Sequence, residues 1–254
     1  MIDDALEEYT KKGFLVFSDL NISLPNHIEE LIQFSNFSVK FFESDETTVR
    51  SYYGFHRETI INDWIKSQDW LKEICHKIVG KVGVYIHQSK INIKNRGESS
   101  VWPYHRDFPF WNVFDGIAEN KLLNIVVFLD DVNENNGALG FLPGSQNYFL
   151  ERENQFKNQS FSIEGSASSN LLFDFTNEEV ELLRDKFGHE LSVGPKGSVL
   201  LFDPNVIHGS SFSTEDYSRR ILILTLNCCD NPPKVPFTRP DYLCGTDFTP
   251  IIWC

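Results

Sequence analysis

Beyond Gly83 the chain breaks into short apolar segments separated by turn signals, and this punctuation limits the fold more than any other feature. Residues 84–93 (VYIHQSKINI) have period-2 character, which matches the alternation of side chains across a strand. Residues 122–129 and 197–202 are almost continuously apolar, as are 220–226 after an opening arginine. A shorter run, 139–142, lies between the turn signals Asn135-Asn136-Gly137 and Pro143-Gly144-Ser145. Many short strands with such spacing predict an antiparallel sandwich or barrel.

Before Gly83 the pattern is helical. Residues 3–12 are polar and helix-compatible, and Phe14–Phe17 reads as a short buried strand. Residues 24–37 are predicted helical with Pro25 near the first turn, and 49–55 alternate weakly, as a strand does. Across 60–79, Ile61, Trp64, Ile65, Leu71, Ile74, Cys75 and Ile78 recur near helical spacing, with Asp63 or Ser67 as candidate caps. A later helix is expected at Asn177–Phe187, capped by Asn177 with Glu178 and Glu179 in its first turn. Residues 151–170 are rich in Asn, Gln and Ser, lack periodicity, and are expected to form a mobile loop over a pocket. Four of the 11 prolines fall within 232–240, so the tail is expected to wrap the surface. We read one domain over 1–254, with a helix-rich N-terminal layer over 1–82 and a β core over 83–254.

Charge narrows the partners. With 23 basic against 36 acidic residues the net charge is −13, which disfavours nucleic acid and anionic membranes. An anionic ligand then requires a local basic site. The start, Met1-Ile2-Asp3-Asp4, is acidic without an apolar leader, and no run of about 18 apolar residues occurs. Five cysteines, an odd number without a C-x-x-C pair, fit reduced thiols and a cytoplasmic location. A monomer or homodimer acting on a small molecule is the expectation, with no nucleic acid and no membrane as partner.

The chemistry gathers at His105-x-Asp107. On an extended strand, residues two apart share a face, so an imidazole and a carboxylate would project together. That is two-thirds of the 2-His-1-carboxylate set of non-haem iron oxygenases. Taken alone the pair is weak, because a histidine bonded to a nearby acid is the commoner arrangement. Tyr104, Phe108, Phe110 and Trp111 give it an apolar surround, where an unpaired carboxylate is costly. His208, just past the run 197–202, is the third candidate ligand; the bland alternative is a surface histidine beside Gly209-Ser210. Arg219 and Arg220 follow 11 and 12 residues later, at the start of an apolar strand. A partly buried guanidinium needs an anionic partner, and a dicarboxylate co-substrate would serve, as would a structural salt bridge. Alternation lets only one of the two face inward, and spacing does not choose between them.

Together these motifs resemble a known family. Gly194-Pro195-Lys196-Gly197-Ser198-Val199-Leu200-Leu201-Phe202, His208-Gly209-Ser210, Arg219, Asn136-Gly137-Ala138-Leu139, Pro143-Gly144-Ser145 and His105-x-Asp107 are similar to the phytanoyl-CoA dioxygenase family. The likeness runs from about residue 84 to 250. His87-Gln88-Ser89-Lys90-Ile91-Asn92, seventeen residues from Gln88 to His105, resembles the branch of ectoine and free-amino-acid hydroxylases. Asn124-Ile125-Val126-Val127-Phe128-Leu129-Asp130 and Arg239-Pro240-Asp241 do too.

The resemblance implies a mainly β fold with N-terminal helices and a double-stranded β-helix (jelly roll, cupin-like) core. It implies Fe(II), 2-oxoglutarate and dioxygen as cofactors. His105, Asp107 and His208 would be the catalytic metal ligands. Arg219 rather than Arg220 would bind the distal carboxylate of 2-oxoglutarate, and Asn92 would contact it near the metal. Gln88 and Trp111 would face the substrate, Arg239 would meet a substrate carboxylate, and Phe55 and Arg57 are further pocket candidates. Two positions depart from the pattern: Val126 replaces a small polar residue of ectoine hydroxylases, which argues against ectoine, and Gln146 replaces a non-ligand histidine. Halogenases of related fold lack the acid that Asp107 provides. The implied activity is hydroxylation of an unactivated C–H bond in a free amino acid or amino-acid-like natural-product intermediate. The same cofactors also serve desaturation, epimerisation or ring closure. A non-catalytic metabolite sensor is the reading from another class, opposed by the complete ligand set.

Overall fold

The computed structural model describes residues 2–20, 22–25, 27–34, 39–95, 101–148, 174–234 and 239–254. In chain order these give α1 (Ile2–Lys12), β1 (Phe14–Phe17), α2 (Ile28–Phe34), β2 (Val39–Phe42), β3 (Val49–Tyr53), α3 (Thr59–Lys66) and α4 (Asp69–Ile78). They continue with β4 (Val84–Lys94), β5 (Trp102–His105), the short turn α5 (Phe108–Phe110), β6 (Leu122–Phe128), β7 (Leu139–Phe141) and α6 (Asn177–Phe187). The last strands are β8 (Glu190–Leu191), β9 (Val199–Phe202), β10 (His208–Ser210) and β11 (Arg219–Cys228).

Seven strands form one sheet in the order β1-β9-β6-β11-β4-β3-β2, and four form a second in the order β5-β10-β7-β8. The sheets face each other across an apolar layer. Phe14, Val126, Phe128, Leu200, Phe202, Ile221 and Ile223 of the large sheet meet Phe141 of the small one and Ala138 just before β7. This is a jelly roll with N-terminal helices, as the motifs implied. On β11 the even positions Leu222, Leu224 and Leu226 turn outward and pack with Ile61, Ile65, Leu71 and Ile74. The odd positions Arg219, Ile221, Ile223 and Thr225 line a pocket between the sheets. The period-2 pattern therefore separates a helix-covered face from a functional face.

Several local expectations change. The helix predicted over 24–37 starts at Ile28, so Pro25 precedes it. Residues 60–79 form two helices, not one, interrupted at Ser67-Gln68. Ser67 closes α3, its Oγ donating to the Trp64 carbonyl at 2.8 Å, and Asp63 lies inside α3, so neither starts a helix. Thr176, one residue earlier than Asn177, caps α6 through a reciprocal pair with Glu179. The N-terminal layer also contributes β1, β2 and β3 to the large sheet. The tail does not only wrap the surface: Arg239, Leu243 and Cys244 are buried. The 151–170 loop lies outside the described residues. All five cysteines are free. Among the described residues no helix is long and apolar enough to cross a membrane.

Candidate active site

His105 ends β5 and His208 opens β10, and the two are direct partners across the antiparallel ladder. The close approach of these strands depends on Gly209. A Cβ there would lie 2.9 Å from the Trp102 carbonyl oxygen and from the Tyr104 ring. Asp107 arrives by a different route from the one alternation suggested. The chain leaves β5 after His105, and Asp107 has helical angles, φ −78° and ψ −42°. The amides of Asp107 and Phe108 both donate to the Pro204 carbonyl, at 2.9 and 3.1 Å. A turn, not a continued strand, thus brings the carboxylate beside the imidazoles.

The three side chains converge. Each offers one ligand atom, and these atoms lie within 4.8 Å of one another. Asp107 Oδ1 is 3.5 Å from His105 Nε2, and Oδ2 is 3.9 Å from His208 Nε2. The Nδ1 atoms face backbone carbonyls, His105 that of Pro103 at 2.8 Å and His208 that of Val206 at 3.0 Å. Such contacts fix the tautomer that leaves each Nε2 lone pair for a metal. Asn124 Nδ2 donates to Asp107 Oδ2 at 2.8 Å, and the Thr225 hydroxyl donates to Asn124 Oδ1 at 2.6 Å. Burial acts to raise the Asp107 carboxyl, but the bond to His105 and the adjacent His208 and His105 rings outweigh it and hold it far below the usual range. Burial, with the charge of His105 second, pushes His208 down to about 4. A neutral imidazole and an ionised carboxylate are the forms that bind a metal.

Arg219 lines the same pocket and is 1% exposed. Its guanidinium donates to the carbonyls of Gly137 and Asn136, and no carboxylate pairs with it among the described residues. Burial, partly offset by Asp130, lowers it to about 10. Arg220 points to the other face, where Asp130 accepts from Nε at 2.8 Å and from Nη2 at 2.6 Å, and Glu29 also binds it. The structure thereby selects the inward arginine that spacing left open. Asn92 lines the pocket with its Oδ1 lacking a partner among the described residues. A buried orphan of this kind is a group left for a ligand to satisfy.

Gln88, Trp111 and Arg239 also line the pocket. Gln88 Nε2 and Arg239 Nη2 both donate to the Leu243 carbonyl, each at 2.9 Å. Arg239 Nη1 donates to Asp115 Oδ2 at 2.7 Å, and His87 Nε2 lies 3.1 Å from the same oxygen. Phe55 and Arg57 are corrections: Phe55 is fully buried in the helix-covered core, and Arg57 pairs with Asp241 at 2.9 Å, away from the pocket. Gln146 fastens the N-terminal helix, donating to the Thr10 carbonyl at 3.0 Å.

Sequence reasoning missed Asn124 and Lys94. Asn124 is the single polar residue in the run 122–129, a signal that could have marked it. Lys94 follows Gln88, Lys90 and Asn92 at alternate positions of one strand, a polar face on a buried strand. His87, Asp115 and Cys244 form a second buried group with ligand atoms within 4.8 Å. Arg239 already supplies the cation there, and burial pushes the Cys244 thiol up to about 12, so it stays a neutral thiol.

The first donor set fits iron: two Nε2 atoms and one pinned carboxylate, converging on a pocket whose wall carries a buried guanidinium with no carboxylate partner among the described residues. The sequence profile of the family described as Phytanoyl-CoA dioxygenase (PhyH) matches residues 12–221. The chain is 32% identical over 212 residues to L-proline trans-4-hydroxylase from Streptomyces griseoviridis, covering 83% of this chain and 78% of that enzyme. It is 27% identical over 219 residues to the ectoine dioxygenase of Streptomyces anulatus, covering 82% and 71%. The crystal structure of EctD from S. alaskensis with 2-oxoglutarate and 5-hydroxyectoine aligns with a TM-score of 0.78 at 22% identity, over 96% of this chain and 83% of that one. The matched stretch contains His105, Asp107, His208 and Arg219 together, and the chain belongs to the phytanoyl-CoA dioxygenase family.

Proposed function

We propose that this chain is an Fe(II)- and 2-oxoglutarate-dependent hydroxylase of a free amino acid or an amino-acid-like natural-product intermediate. One observation carries the reading: three metal-ligating atoms within 4.8 Å share a pocket with Arg219, a buried cation lacking a carboxylate partner among the described residues. The proline and ectoine enzymes it resembles support the substrate class.

Iron(II), 2-oxoglutarate and dioxygen together supply oxidative decarboxylation, which yields succinate and carbon dioxide and drives cleavage of a substrate C–H bond. The chain's own part is binding and placement. His105, Asp107 and His208 hold the metal through Nε2 and carboxylate oxygens, with Asn124 and Thr225 fixing the carboxylate. Arg219 binds the distal carboxylate of the co-substrate in a site that burial keeps dry, and Asn92 contacts it closer to the metal. Arg239 meets the substrate carboxylate, while Gln88 and Trp111 orient the remainder. Phe110 and Trp111 exclude water from the same pocket. A cytoplasmic monomer or homodimer completes the proposal, which size-exclusion chromatography and fractionation test.

A screen of free amino acids and related zwitterions, following succinate release, tests the function. The expected hit shows substrate-dependent succinate and a product heavier by one oxygen. A product lighter by two hydrogens, or of unchanged mass, would redirect the reading to desaturation, ring closure or epimerisation. No consumption of 2-oxoglutarate with any substrate would overturn it.

A further inference from the structure

The three metal-ligating side chains come from two segments remote in sequence, one carrying His105 and Asp107 and the other His208. The ladder that joins these segments is short. β5 and β10 share two residue pairs, His105 with His208 and Trp102 with Ser210, and the register shifts between them. A metal site needs its ligands held to within about 0.5 Å. A short, bulged ladder requires support from elsewhere.

One turn supplies it. Gly144 has φ +82°, a left-handed conformation that favours glycine, and leads into a 3-10 turn over Ser145–Asn147. Ser145 is fully buried. Its hydroxyl accepts from the Ile207 amide at 2.9 Å, and the Leu142 amide donates to the Ile207 carbonyl at 3.0 Å. Both backbone groups of the residue before His208 are therefore taken by the turn and its approach. On the other side, the carbonyls of Ser145 and Tyr148 each accept from Arg106 Nη2 at 2.6 Å. Arg106 is 4% exposed and stands between His105 and Asp107. The turn is itself anchored to the end of α1, where the Gly144 amide donates to the Lys12 carbonyl at 2.8 Å. Ser145 thus grips one ligand-bearing segment by its hydroxyl and the other by its carbonyl.

We propose that Ser145, acting with Arg106, is a positioning residue for the metal: the turn sets His208 against the His105–Asp107 segment without touching metal or substrate. The inference rests on the metal-dependent function proposed above. It separates two properties that a merely structural serine would not. Loss of the hydroxyl should loosen metal binding in protein that is still fully folded, and should change the geometry of the ligands around the metal.

Co(II), whose visible ligand-field bands report coordination geometry, is the first probe. Anaerobic competition for Fe(II) with a chelator is the second. Ser145→Ala removes the hydroxyl, and Arg106→Lys keeps the charge but replaces a planar fork with a single ammonium. Each variant should weaken both metals about tenfold, the scale of groups behind a ligand, and shift the Co(II) bands. In the double variant the loss should be smaller than the product of the two, because both act through Ser145. Ile74→Val, in the helix-covered core, is the control: it should lower Tm and leave affinity and bands unchanged. Ser145→Ala that behaves like this control, less stable but with wild-type affinity and bands, would overturn the proposal. If Ser145→Ala does not fold, Arg106→Lys is read in the same way, and wild-type affinity and bands there would overturn it. A wild type that binds neither metal would instead overturn the metal assignment itself.

Discussion

His105 and His208 stand opposite each other on β5 and β10, with ring centres 4.4 Å apart. Two imidazolium cations at that distance would repel, and burial already disfavours the charge on His208. His208 is therefore disposed as a neutral donor beside the Asp107 carboxylate. His105→Ala and Asp107→Ala should each reduce substrate-dependent succinate formation to background while leaving the fold intact. Assays on purified variants with matched circular dichroism check this, and wild-type turnover in either variant would remove the iron assignment.

Asn124 holds Asp107 and is itself held by Thr225. Groups behind a ligand typically contribute about 10–100-fold in metal affinity. Asn124→Leu should weaken Fe(II) binding by that order, and Thr225→Val by less, since it acts one bond further out. Competition for Fe(II) with a colorimetric chelator measures both. Equal affinities across the three proteins would mean that the Asp107 turn alone orients the carboxylate.

His105, Asp107, His208 and Arg219 were legible as side chains, because residue type and motif order carry them. The path between them was not. Strand alternation required β5 to run past His105, whereas Pro204, remote in sequence, captures the Asp107 and Phe108 amides and turns the chain. Helical periodicity ran through Ser67-Gln68 because α3 and α4 both bury their apolar faces in one core. The prolines of the tail suggested a surface path, yet Arg239 is buried because Asp115, 124 residues away, receives it. No local pattern encodes a partner at that separation.

The Asp115–Arg239 pair is 1–2% exposed at its side chains, and His87 adds a third polar group. Removing one partner of a buried pair leaves an uncompensated charge, at a cost of about 3–5 kcal/mol. Asp115→Ala should lose that much stability, and Arg239→Met a similar amount. The double variant should lose clearly less than the sum. Urea unfolding of the four proteins closes this cycle; additive losses would show that the two side chains act independently.

Lys94 should leave a pH signature on stability. In the folded protein burial holds its amine at about 7, with Arg219 and Arg50 adding to the effect and Glu43 opposing it. In the unfolded chain a lysine titrates near about 10.4. Between these values the unfolded state carries the proton and the folded state does not, so stability rises with pH. Below about 7 both states carry it and the full cost remains; above about 10.4 neither does and the cost is gone. The wild type should therefore be less stable than Lys94→Met at neutral pH, and the gap should narrow as pH climbs from about 7 to 10. Comparing the two proteins cancels the other groups that titrate in this window. Denaturant midpoints at several pH values, read without co-substrate, give the difference directly. A constant gap would show that the amine titrates alike in both states, and that the ladder places no cost on its charge.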